Sequence, residues 1–104
     1  MSSYEMQRFE KKLQVAAFYS FNTLAEETIS HLINRLNILG SEKHIRGTVL
    51  LASEGINGTI CGHVEGMQCF LEEMNTYFLC NPLEVKTSWT YEQAFRRFKV
   101  RRKK

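Results

Sequence analysis

Ile45-Arg46-Gly47-Thr48-Val49-Leu50-Leu51-Ala52-Ser53-Glu54-Gly55-Ile56-Asn57-Gly58-Thr59-Ile60-Cys61 is the stretch on which the fold turns. Residues 45–52 and 56–61 are rich in β-branched and aliphatic side chains, and Ser53-Glu54-Gly55 separates them. Two such runs around a short glycine-containing turn predict antiparallel strands joined by a hairpin. On the N-terminal side, Thr23-Leu24-Ala25-Glu26 fits a capping box, with the Thr hydroxyl accepting from the Glu26 N–H and the carboxylate reaching back. Ile29, Leu32, Ile33 and Leu36 then repeat at helical spacing, and Gly40 is the expected left-handed residue that ends the helix. Before it, Gln14 to Phe21 is apolar on both parities, which suits an interior strand covered on one face and shielded on the other.

On the C-terminal side, Val64, Met67, Phe70, Leu71, Met74 and Phe78 form a second helical stripe, closed by Asn81-Pro82. Leu83, Val85, Thr87 and Trp89 alternate with Glu84, Lys86 and Ser88, the pattern of an edge strand with one wet face. The order strand, helix, strand, strand, helix, strand is that of the split β-α-β unit. The fold class is therefore α+β: a ferredoxin-like βαββαβ sandwich, with a four-stranded antiparallel sheet and two helices on one face. Residues 1–13 are expected to be a disordered lead-in or a short helix, and 14–104 the domain.

The 104 residues carry 14 Lys plus Arg against 11 acidic residues, with 43% apolar content, which describes one small globular domain. A chain of this size buries enough surface to hold a core without disulfides or a structural metal. The charge is unevenly placed. Arg96 to Lys104 holds seven of the cations and no acid; the other seven, against eleven acids, leave residues 1–95 at −4. No apolar run approaches the roughly 20 residues of a membrane span, and no signal peptide opens the chain, so a cytoplasmic protein is expected. Cys61, Cys69 and Cys80 are odd in number and form no C-x-x-C pair; His31, His44 and His63 are scattered. Neither a disulfide framework nor a metal site is suggested, and no cofactor is evident. Cys61, on a strand, and Cys69, on a helix, are read as packing residues.

Two segments could carry chemistry. In Ser53-Glu54-Gly55-Ile56-Asn57-Gly58-Thr59 the glycines allow positive φ, so that successive N–H groups could converge on a phosphate, with Asn57 and Thr59 as added donors. The same residues also suit a plain hairpin that needs glycine. They match neither a Walker loop nor a dinucleotide fingerprint. In Phe95-Arg96-Arg97-Phe98-Lys99-Val100-Arg101-Arg102-Lys103-Lys104, strand periodicity places Phe98 and Val100 on one face and Arg97, Lys99, Arg101 and Lys103 on the other. Such a comb could track a sugar-phosphate backbone; a solvated tail or linker is the alternative. No nucleophile elbow or other catalytic set assembles. An acylphosphatase-type hydrolase would need a phosphate loop with an arginine after the first strand, and Phe21-Asn22-Thr23 has neither arginine nor glycine.

Gly47 to Gly62, with Glu84-Val85-Lys86 and Phe95 to Lys104, resembles the N-terminal domain of the bacterial rhodanese-family tRNA uridine hydroxylases, over roughly residues 14–104. The resemblance implies an acylphosphatase-like version of the ferredoxin-like fold. It implies a rhodanese domain, with the active cysteine, after residue 104. It also implies oxygen-dependent hydroxylation of the wobble uridine of tRNA to 5-hydroxyuridine, with molecular oxygen as co-substrate. Family motif positions carried over are Glu54, Gly55, Ile56, Asn57, Gly58 and Thr59, and Lys99, Val100, Arg101, Lys103 and Lys104. Arg102 departs from the pattern, since the family usually has an aliphatic residue there. No catalytic residue is expected in this segment, and the isolated domain is expected to be inactive. The leading expectation is a domain that positions tRNA or completes the active site of the rhodanese domain. Its RNA-binding or interdomain residues would be Glu54, Gly55, Asn57, Gly58, Thr59, Arg97, Lys99, Arg101 and Lys103. The rival is an interdomain packing module of a rhodanese-family sulfurtransferase that never meets RNA; a free-standing phosphohydrolase is a third, weaker alternative.

Overall fold

A computed structural model describes residues 12–103. Its elements follow in the order β1 (Leu13–Phe21), α1 (Glu26–Glu42), β2 (Arg46–Ala52), β3 (Gly55–Gly62), α2 (Val64–Asn75), β4 (Glu84–Thr90) and β5 (Phe98–Arg102). The expected lead-in lies outside the described residues apart from Lys12 and Leu13, and Leu13 is already in β1. The sheet order is β4-β1-β3-β2-β5, antiparallel throughout except that β5 runs parallel to β2. The four-stranded ferredoxin-like sheet is thus present, and the basic C-terminal segment extends it as a fifth strand.

Strand alternation decides which side chains meet the helices. Ala16 and Phe18 of β1, Val49 and Leu51 of β2, and Ile56 and Ile60 of β3 point into the core. They meet Ile29, Leu32, Leu36 and Leu39 of α1 and Met67, Phe70 and Met74 of α2. Phe98 and Val100 join the same core from β5. The expected two-sided periodicity of that strand is therefore real. Arg102, on their side, reaches past them to a bidentate pair with the Glu26 carboxylate in the first turn of α1. The charge at this position closes the end of the core instead of opening it, and the carboxylate suits the positive end of the helix dipole.

Several local expectations are corrected. The capping box does not form: α1 begins at Glu26, with Ala25 at its N-cap and no side-chain cap bond. Residues 22–24 are instead held extended, because the N–H groups of Asn22 and Leu24 donate to Glu54 O and Ser53 O of the hairpin turn. Gly40 does not end α1, which continues to Glu42. The left-handed residue is His44, at φ 55°. The N–H groups of Ile45 and His44 donate to Gly40 O and Ser41 O, the pair of bonds that defines a Schellman motif. The α2 stripe stops before Phe78, since the helix ends at Asn75 and continues as tight turns through Thr76 and Tyr77. Asn75 Oδ1 accepts from the Leu83 N–H and so ties that end to the returning chain, while Phe78 remains buried.

Two faces also differ from expectation. The helices cover β1, β3, β2 and β5 and leave β4 bare, so Val85 (37% exposed) and Trp89 (52%) on its inner parity are open as well. The second face of β1 is not shielded either: Tyr19 is 49% and Phe21 70% exposed. Cys61 is buried, as expected for a packing residue, whereas Cys69 lies on the outer face of α2 and is exposed.

Candidate functional site

Because both helices lie on one side, the opposite side of the sheet is open, and register decides what it displays. One row crosses the sheet as Lys86 (β4), Ala17 (β1), Thr59 (β3), Thr48 (β2) and Lys99 (β5). The next row is Glu84, Tyr19, Asn57, Leu50 and Arg101. The two segments singled out in the sequence, 54–59 and 97–103, therefore meet on one surface, two strands apart. Over it lies an open groove of about 540 Å³ floored by Tyr19, Leu50, Asn57 and Thr59, with Lys86 on one wall and Phe95 at the end.

The connection between β4 and β5 shapes one end of this face. Its seven residues, 91–97, must cross four inter-strand steps, from one edge of the sheet to the other. That is about 19 Å at 4.8 Å per step, against roughly 23–25 Å for seven extended residues. The connection is consequently taut and pinned: Gln93 Nε2 donates to Cys61 O, Arg46 Nη1 to Arg96 O, and the Gly47 N–H to Arg97 O. Cys61, whose carbonyl Gln93 holds, is buried although it lies on the open parity.

Of the two readings of residues 53–59, a phosphate nest or a plain hairpin that needs glycine, the hairpin is the one that forms. Asn57, Gly58 and Thr59 lie inside β3, paired on one side with β1 and on the other with β2, so their backbone groups belong to the ladders. Gly58 is a packing residue, since a β-carbon there would come within 2.8 Å of the Phe18 ring. Gly55, at φ +148°, opens β3 where the Ser20 carbonyl of β1 leaves no room for a side chain. Glu54 is exposed at the hairpin tip. Lys99 and Arg101 stand in β5 on the open face, while Arg97 and Lys103 flank the strand, exposed, and extend its bonding to β2 through Arg97 O and the Lys103 N–H.

Three participants of this surface were missed by sequence reasoning: Tyr19, Phe21 and Lys86. The signal was present in Gln14–Phe21, where aromatic residues occupy the parity opposite Ala16 and Phe18. Charge is layered as well. Six of the eleven acids sit in α1 and α2, at Glu26, Glu27, Glu42, Glu65, Glu72 and Glu73, with Arg35 as the one cation inside those helices. The helix layer is acidic; the open face, with Glu84 as the carboxylate in its two rows, is basic.

The family model of the UPF0176 acylphosphatase like domain matches residues 13–104. The chain belongs to this family. Among its relatives, a protein of Prochlorococcus marinus named tRNA uridine(34) hydroxylase is 48% identical over 103 residues, 99% of this chain and 32% of that protein. One of the same name from strain MIT 9313 of that organism is 56% identical over 90 residues, 86% of this chain and 29% of the relative. The chain thus spans about a third of the length of these relatives. The acylphosphatase-like fold is shared with an acylphosphatase from Coxiella burnetii, at TM-score 0.59, 14% identity, and coverage of 88% of this chain and 96% of that one. The BLUF protein BlrB superposes at TM-score 0.74 and 14% identity, over 90% of this chain and 74% of its own. Within this UPF0176 domain the connection between β1 and α1 has no arginine or glycine and is held to the hairpin turn, so no phosphate loop lies at that position. No described helix is long and apolar enough to cross a membrane.

Proposed function

We propose that this UPF0176 domain is the tRNA-positioning part of a cytoplasmic tRNA uridine(34) hydroxylase, and that its open sheet face meets the RNA. The observation that carries the reading is the division of charge: an acidic helix layer on one side, and on the other Lys86, Lys99 and Arg101 with Arg97 and Lys103 at the ends of β5. A polyanion approaches such a body from the sheet side, because phosphate binding is dominated by neutralisation and counterion release. The names of the relatives point to uridine 34 of tRNA as the substrate; in this reading the parent enzyme hydroxylates that wobble uridine to 5-hydroxyuridine. Molecular oxygen is its co-substrate, and a rhodanese domain of the same protein holds the reactive cysteine. The present domain contributes placement and no reacting group.

The test is tRNA binding by the full-length protein at several salt concentrations. Four phosphate contacts from Arg97, Lys99, Arg101 and Lys103 give a slope of log K against log salt of about 3–4 in magnitude. Changing all four to Ala should remove most of that slope and weaken binding. Unchanged slope and affinity, together with loss of a shared unfolding transition, would make the face an interdomain contact.

A further inference from the structure

Tyr19 and Phe21 stand two residues apart on β1, both on the open face, with ring centroids 5.7 Å apart and planes inclined at 60°. They are 49% and 70% exposed, whereas Phe18, Phe70 and Phe78 are turned into the core; the other exposed aromatic residues among those described, Trp89 and Tyr91, lie at and just beyond the end of β4. Their neighbours on β3 are small. Beside Phe21 the cross-strand neighbour is Gly55, which has no side chain, and beside Tyr19 it is Asn57, whose short amide carries both a donor and an acceptor. The backbone beneath Phe21 is fixed, because Asn81 Nδ2 donates to Phe21 O at 2.5 Å and the Asn22 N–H donates to Glu54 O at 3.0 Å. On β4 the direct neighbour of Tyr19 is Glu84, with Lys86 one row further along opposite Ala17; on the other flank Arg101 shares the row of Tyr19 and Lys99 that of Ala17, both on β5 beyond β2.

We infer that Tyr19 and Phe21 form a stacking platform for unpaired bases of RNA, with Asn57 hydrogen-bonding a base edge and the flanking cations holding the backbone. The inference rests on the reading that this face meets tRNA, and adds what is recognised: single-stranded nucleotides. Rings on a sheet surface accept any base, because every base has a π-face, whereas a duplex keeps its base faces stacked inside and offers its backbone and groove edges. The opposing choice of partner, a protein surface, is disfavoured by the excess of cations over the one carboxylate, Glu84, in the two rows of this face, with six acids on the helix layer behind it.

The experiment compares the full-length protein with its Tyr19→Ala and Phe21→Ala variants. The probes are a short oligouridylate, the same oligomer carrying one 2-aminopurine, and an RNA duplex of equal charge. The wild type is expected to prefer the single strand and to quench the 2-aminopurine. Each Ala variant should weaken single-strand binding by about 5- to 150-fold while leaving the salt slope unchanged, since stacking releases no counterions. Phe21→Trp should keep affinity and quenching, which excludes loss through misfolding. Lys99→Ala and Arg101→Ala should each reduce the slope by about 1. Equal binding of duplex and single strand, or unquenched 2-aminopurine, would overturn the platform even where the cation variants still lower the slope. If the cation variants also leave affinity and slope untouched, the proposed RNA face fails with it.

Discussion

Phe98 of β5 lies over Gly40 of α1 so closely that a β-carbon at position 40 would come within 2.7 Å of three of its ring atoms, Cδ2, Cε2 and Cζ. The same ring meets Phe70 of α2 edge to face, with centroids 5.9 Å apart and planes at 87°. One aromatic residue at the start of the basic strand therefore docks that strand onto both helices, and the cations on its other parity are displayed because this one is held. Glycine inside a helix costs roughly 1 kcal/mol relative to alanine, so its place here reflects close approach and not helix stability.

Gly40→Ala should accordingly destabilise the domain although it improves helix propensity. Overpacking at the upper end of about 1–3 kcal/mol, less the propensity gain of about 1 kcal/mol, leaves a net loss of up to about 2 kcal/mol, read from urea unfolding. Combined with Phe98→Leu, the loss should be clearly smaller than the sum of the two single changes. Additive losses would mean that the ring and the helix do not meet as described.

Ser20 is the buried polar residue of the described core, 3% exposed, and its hydroxyl donates to Asn81 O. Asn22 Nδ2 donates to Ser20 Oγ at 2.6 Å and to Asn81 O at 3.2 Å, so the loop before Pro82 is laced to the end of β1. Ser20→Ala should cost about 1–2 kcal/mol, because an acceptor for Asn22 and a donor for Asn81 vanish together in a partly buried place. The salt slope of RNA binding should stay as in the wild type, since no cation moves. A neutral effect on unfolding would show that water replaces the hydroxyl.

Arg35 of α1 grips Glu73 of α2 with two bonds, Nε to Oε2 at 2.5 Å and Nη2 to Oε1 at 2.7 Å. Hydrogen bonding from Arg35, with its charge in support, holds the Glu73 carboxyl below its ordinary range. A carboxyl depressed in the folded state stabilises it above the unfolded value, about 4.3, and loses that contribution as pH falls through the folded value. Glu73→Gln should therefore lower Tm at pH 7, and the gap to the wild type should close in acid. Both side chains are about a third exposed, 36% and 29%, so added salt should narrow the gap at neutral pH. A gap that persists at low pH would assign the effect to packing instead of charge.

The elements of this domain were legible because each carries its own period. Ile45–Cys61 shows strand alternation around a turn, Ile29 to Leu36 a helical stripe, and Phe98 and Val100 the apolar side of a basic strand; all lie where the pattern places them. What failed were statements about ends and partners. Thr23 looks like a cap, yet the hairpin turn captures the backbone of Asn22 and Leu24 and moves the helix start to Glu26. Gly40 looks like a stop, yet it serves Phe98, which follows it by 58 positions in the chain. Local signals compete with contacts that a local window does not contain.

The candidate surface divides in the same way. That Lys99 and Arg101 share a face, and that Asn57 and Thr59 share another, follows from the two-residue period of a strand and needs nothing but the order of amino acids. That the two faces are one surface depends on β5 joining β2 in parallel and on β2 lying beside β3. The taut seven-residue crossing sets that arrangement, together with the fit of Phe98 between Gly40 and Phe70. The openness of the face, and with it the exposure of Tyr19 and Phe21, comes from both helices packing on the opposite side. Periodicity assigns each side chain a side of its own strand; only packing, which joins residues far apart along the chain, says which sides coincide and which of them meets solvent.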